Sequence, residues 1–309
     1  MPLGNEYFCF QVGANFTIVK LARSIGKTPN LHKYNKKYFC KIFWRKLAQT
    51  PKTRYNLPCN ALMRYPRIPA VPVIGNQMAK KQFFCIVDTE TTIGDTVADF
   101  AAIICDREGQ IFNSCAVLVK NHFDSMDLFY DKNAKGIWSF EYAQSKKAKY
   151  NDMLNNGQRL LASTAAINRW INQAIGKYNP QLTAYNLAFD SAKCENTGID
   201  LSGFNNRFCL WQAAVGNICH SRKYRQFALD NHAFNAATQN RNMTYQTNAE
   251  IVAGFLNNQI IDEPHTALED ARDFELPILV NILKKRDWRE KIQAYNWRDF
   301  QVKDNFTAK

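Results

Sequence analysis

Phe83-Phe84-Cys85-Ile86-Val87-Asp88-Thr89-Glu90-Thr91-Thr92 is the stretch on which the reading of this chain turns. Its first five residues are apolar and rich in β-formers, the signature of a short buried strand, and two carboxylates arrive at its end two positions apart. Alternation along a strand puts Asp88 and Glu90 on one face. Two acids on one side of a buried strand repel each other and resist desolvation unless something positive binds between them, as a divalent cation does. A solvated strand end is the competing reading of the pair.

Working outward, Phe100 to Cys105 and Ile111 to Val119 read as further strands, and with the first they predict an antiparallel opening meander. Between Arg159 and Ile175 the residues Leu160, Leu161, Ala165, Ile167, Trp170 and Ile171 recur at helical spacing. Leu182 to Tyr185 returns as a strand, and Ala267 to Leu283 predicts another helix. The pattern is αβ, without internal repeats. The interval from Asp190 to His265 is long and Asn-rich and yields no clear pattern. A chain of 309 residues is long enough for one substantial domain with an appendage, or for two modest domains. No window approaches ~18 uninterrupted apolar residues, so no transmembrane helix or membrane partner is expected. The nine cysteines are an odd number and sit singly, with no CxxC pair, which predicts reduced thiols and a cytoplasmic location rather than a zinc cluster.

The net charge of +13 is unevenly spread. Residues 1–82 hold fifteen Lys and Arg against a single acid, Glu6, a balance of +14 that leaves 83–309 at −1. Within this extension His32 to Leu47 interleaves lysines with Tyr34, Tyr38, Ile42 and Phe43 at helical spacing, and five prolines from Pro51 to Pro72 mark 51–77 as a linker. Lysine-aromatic interleaving suits a nucleic-acid tether, and a solvated arm is the alternative. Met78 could be an alternative start, and a transit peptide is a third reading of the basic N-terminus. The expected organisation is a basic extension over 1–77, a catalytic domain over 78–285 and a C-terminal tail over 286–309.

Two further segments carry carboxylates. Leu182-Thr183-Ala184-Tyr185-Asn186-Leu187-Ala188-Phe189-Asp190 runs from a strand into a helix start, where an acid commonly serves as an N-cap. In His265-Thr266-Ala267-Leu268-Glu269-Asp270-Ala271-Arg272-Asp273, Asp270 falls on a helix with His265 just ahead, while Glu269 and Asp273 read as surface charges. The order DxExT, NxxFD, HxxxxD closely resembles the DEDDh group of 3′-to-5′ exonucleases over roughly 82–285. That group includes polymerase proofreading subunits, ribonucleases that trim transfer RNA, and oligoribonucleases.

The resemblance implies an α/β, ribonuclease-H-like fold with a mixed central sheet flanked by helices. It implies that Asp88, Glu90, Asp190 and Asp270 bind metal, that His265 is the general base, and that Thr91, Thr92, Asn186 and Phe189 contact substrate. Asp88 would bridge two ions, Glu90 and Asp270 completing one and Asp190 the other. Oxygen ligands favour Mg²⁺ or Mn²⁺ over zinc. The activity so implied releases nucleoside 5′-monophosphates from the free 3′ end of single-stranded DNA or RNA. The chain departs from the family in placing Ile93 before Gly94, where glycine ordinarily follows the second threonine directly. Competing readings are a non-catalytic binding module, or an interaction subunit whose extension recruits a polymerase or another replication or repair partner.

Overall fold

The computed structural model describes residues 81–302. The extension 1–77, with its expected helix, linker and the following Met78, lies outside the described residues, as do 303–309. The described chain is α/β, built on a six-stranded mixed sheet in the order β4-β3-β2-β1-β5-β6. β1 (Phe83–Thr91), β2 (Val97–Asp106) and β3 (Ile111–Val119) form the antiparallel meander read from the sequence. β5 (Gln181–Ala184) and β6 (Arg207–Cys209) then add in parallel beside β1, and β4 (Leu160–Ala162) runs parallel to β3 at the far edge.

Strand alternation sorts the sheet's residues between two cores. Phe84, Ile86 and Ile103 pack on one face beneath α4 (Leu210–Ala214), α5 (Arg222–Asp230), α6 (Ala249–Asn257) and α8 (Leu276–Leu283). Cys85, Val87, Phe100 and Ile104 pack on the other, against α2 (Thr164–Tyr178) and α3 (Leu187–Thr197). Ile167, Ile171 and Ala174, three and four residues apart, form the buried stripe of α2. α8 carries Leu276, Ile278, Leu279, Ile282 and Leu283 buried, which is why it lies deep in the first core. α1 (Phe140–Asn155) packs on a smaller third cluster through Ala143 and Tyr150. The six cysteines of the described residues are free thiols, and four are buried as small apolar side chains. Among the described residues no helix is long and apolar enough to cross a membrane.

Three features differ from the sequence reading. The helix expected from Arg159 begins only at Thr164, because Ser163 caps it by accepting from Ala166 N; Leu160 and Leu161 lie upstream and pair with β3 as the sheet's edge strand β4 instead. The helix expected over Ala267 to Leu283 is interrupted. α7 (Ala267–Asp270) and α8 are joined by a π-type turn, Ala271–Glu275. The stretch expected as a tail from 286 is bound to the first core over its described part, with Trp288 and Phe300 buried.

Candidate functional site

β1 pairs with β2 along its whole length, Glu90 facing Asp99, but with β5 only from Phe84 to Ile86. Beyond Ile86 its β5 side is therefore open, and there the two acids stand at the carboxyl end of the strand, where open α/β sheets bind ligands. Asp88 and Glu90 share the parity of Phe84 and Ile86, so they point toward the face covered by α7, the π-type turn and α8. Asp270 closes α7 and is 4% exposed; Glu275 closes the π-type turn and is 3% exposed. Asp190 sits in the first turn of α3, buried, its Oδ1 accepting from Thr89 Oγ1 at 2.8 Å. It is not the N-cap. That position belongs to Asn186, whose side chain makes no capping bond. Glu90, His265 and Asp270 bring one ligand atom each within 4.8 Å of one another.

The electrostatics are those of an under-compensated acidic site. Burial pushes Asp270 up to about 9, with Glu263 and Glu90 adding to the shift. Burial likewise takes Asp190 and Glu263 to about 7. Asp88 is held well above the usual carboxylate range by burial and then by Glu275, Asp190, Asp270 and Glu90, and Glu275 is raised by burial and Asp190. Lys146, on α1, is the one cation ion-paired to this group among the described residues, at 2.6 Å from Glu90 Oε2. Asp270 Oδ1 and Glu275 Oε2 are buried with no hydrogen-bond partner among the described residues. Unpaired buried carboxylate oxygens beside one imidazole form a donor set suited to a hard divalent cation.

His265 enters the site on strained backbone, in the left-handed region at φ 52°, which is uncommon for a residue with a Cβ. Its ring lies 6.2 Å from that of Trp138 and 6.4 Å from that of Tyr142. Burial, and then the charge of Lys146, lower its pKa and favour the neutral imidazole.

A second set of charges anchors α7. Asp99, wholly buried on β2, accepts from Tyr150 OH at 2.9 Å, from the backbone N–H of Ala267 at 3.1 Å and from Arg159 Nε at 3.3 Å. Arg159 Nη2 reaches Glu269 Oε2 at 2.5 Å. Glu269 is therefore no mere surface charge; Asp273 is, half exposed and bonded to its neighbour Arg272. The network ties the start of the helix bearing Asp270 to the sheet and to the chain leaving α1.

The residues expected to contact substrate fare differently. Thr92 is completely buried, and its hydroxyl is engaged with Thr96 Oγ1 at 2.8 Å and Gly94 N at 3.2 Å, so it builds the turn after β1. That turn accommodates the departure at Ile93, which is half exposed, while a Cβ at Gly94 would lie 2.6 Å from Met126 Sδ. Thr91 lines a small recess together with Glu90, Phe129, Trp138, Lys146 and His265. Asn186 is exposed, and Phe189 is 42% exposed with Lys193 Nζ 4.7 Å over its ring.

Sequence reasoning missed Lys146, Glu275, Glu263 and the Asp99–Arg159 pair. Lys146 is one of several lysines in its stretch. Glu275 lies five residues beyond Asp270, off that residue's face in an α-helix, and comes round only because the π-type turn bonds i to i+5. A buried acid inside the apolar strand Val97–Asp106 was the available signal for Asp99. The chain matches no protein-family model, no curated protein and no solved structure.

Proposed function

We propose that this chain is a divalent-cation-dependent phosphodiester hydrolase on a ribonuclease-H-like fold. Within that class it is a 3′-to-5′ exonuclease of single-stranded nucleic acid that releases nucleoside 5′-monophosphates. The observation that carries the reading is the gathering of acids from three separate segments around Asp88, among them Asp270, whose Oδ1 is buried without a partner among the described residues. The antiparallel β1–β3 meander followed by parallel β5 and β6 supports the fold assignment, with β4 as an added edge strand.

Two Mg²⁺ or Mn²⁺ ions, when bound, would supply water activation and charge neutralisation at the phosphate. Asp88, Glu90, Asp190 and Asp270 are the residues that would hold them. His265, kept neutral by its burial, accepts the proton of the attacking water. Lys146 fixes Glu90 through their ion pair. Trp138, 51% exposed, and Phe129, 47% exposed, offer ring faces beside His265 on which an unpaired base can stack.

The test is cleavage of matched, end-labelled single-stranded DNA and RNA oligonucleotides in Mg²⁺ under single turnover. The wild type should shorten the strand from its 3′ end. Asp88→Ala should lose roughly 10⁴-fold or more in rate, about 5 kcal/mol of barrier, and His265→Ala ~10²- to 10⁴-fold. Wild-type rates from both folded variants would remove the assignment.

A further inference from the structure

At the β5–α3 junction lies a cavity of about 370 Å³, within the range of small-molecule sites (roughly 300–1,000 Å³). Tyr185 and Asn186 link it to the acid-bearing segments. Tyr185 N donates to Glu275 Oε1 at 3.2 Å in the acidic group, while both residues line the cavity, and Asn186 caps the helix that carries Asp190 four residues on, roughly 6 Å along its axis.

The lining has a consistent chemistry. Tyr295 is stacked between Trp211, at 5.2 Å and 28°, and Phe300, at 5.2 Å and 21°, so Trp211 ends a three-ring stack. Its indole N–H is taken by Thr247 Oγ1 at 3.0 Å, which leaves the ring itself for a ligand. Arg241 forms no ion pair among the described residues, and its Nε is buried with no hydrogen-bond partner. Among the described residues no carboxylate lines the cavity. A flat ring stack, one free guanidinium and side-chain amides beside an acidic centre suit a ligand that is aromatic at one end and anionic at the other.

We infer that this cavity is a second nucleotide subsite, which holds a base of the single-stranded substrate against Trp211 and its phosphate on Arg241 while the strand's 3′ end occupies the acidic centre. The inference rests on the nuclease reading for its substrate class, but binding can be measured without hydrolysis. The test uses the full chain in EDTA, with a fluorescein-labelled ten-nucleotide single strand as the probe.

Arg241→Glu should raise the Kd about tenfold or more, since it reverses a phosphate contact, and Arg241→Lys, which keeps a point charge for the phosphate, should weaken binding less than Arg241→Glu. Trp211→Leu should weaken binding roughly 5- to 100-fold by removing the stacking surface. Should Trp211→Leu fail to fold, the Arg241 pair decides. Equal Kd for wild type and Arg241→Glu overturns the subsite, as does displacement of the probe by a polyglutamate peptide as effectively as by unlabelled strand. Absence of cleavage in Mg²⁺ with the predicted Kd order would defeat the nuclease reading and leave the subsite standing.

Discussion

Asp99 and Asp270 are both sealed from solvent, at 0% and 4% exposure, and the four-residue helix α7 separates them, yet they are buried in opposite ways. Asp99 has both oxygens bonded and a guanidinium beside it. Asp270 has an oxygen with no partner and acids for neighbours. A fold can evidently satisfy a buried carboxylate at this place, since it does so one turn away. The unsatisfied set is then not a general cost of the architecture but a local feature, and completing it is the role of the proposed cations.

The largest effect should come from breaking the satisfied set. Arg159→Met leaves Asp99 buried beside a neutral side chain and frees Glu269, and it should destabilise the protein by about 3–5 kcal/mol. Urea unfolding of the full chain measures this, and a loss below about 1 kcal/mol would make the Asp99–Arg159 pair incidental. Nucleic-acid cleavage per folded molecule should also fall, because α7 loses the anchor that places Asp270.

The unsatisfied set should respond with the opposite sign. Asp270→Asn removes a carboxyl that burial has pushed up to about 9, so in EDTA at pH 8 the variant should be more stable than wild type by roughly 1–3 kcal/mol. On the proposed reading, Mg²⁺ should stabilise the wild type, and the same substitution should remove most of that gain. A destabilised Asp270→Asn protein in EDTA would place Asp270 with Asp99 among the structural acids.

Much of this was legible in the sequence because it rests on local pattern. The apolar run before Asp88, the strands either side of the turn at Gly109 and the start of the helix bearing Asp270 follow from alternation and spacing. The acids late in β1, at the start of α3 and on α7 were likewise read from local pattern, while their grouping with His265 came from the order DxExT, NxxFD, HxxxxD. What stayed hidden depends on long-range packing. Leu160 and Leu161 look helical by spacing, and only Ser163 and the free edge of β3 make them a strand. Arg159 meets Glu269 across 110 residues. Glu275 is brought to the acids by a π-type turn that no periodicity announces, and the cavity at Trp211 draws on an interval whose elements are too short to read singly.

The most direct measurement of the central claim is the melting temperature of the full chain from pH 5 to 9, in EDTA and in millimolar Mg²⁺ or Mn²⁺. In the folded, metal-free protein Asp190 and Glu263 keep protons up to about 7 and Asp270 up to about 9, whereas unfolded carboxylates release them near ~4. The folded state thus binds more protons across this window, so its stability must fall as pH rises. The prediction is a melting temperature that declines from pH 5 to 9 in EDTA and is restored by either ion, with the gain growing toward pH 9. A flat profile that neither ion changes would contradict the account.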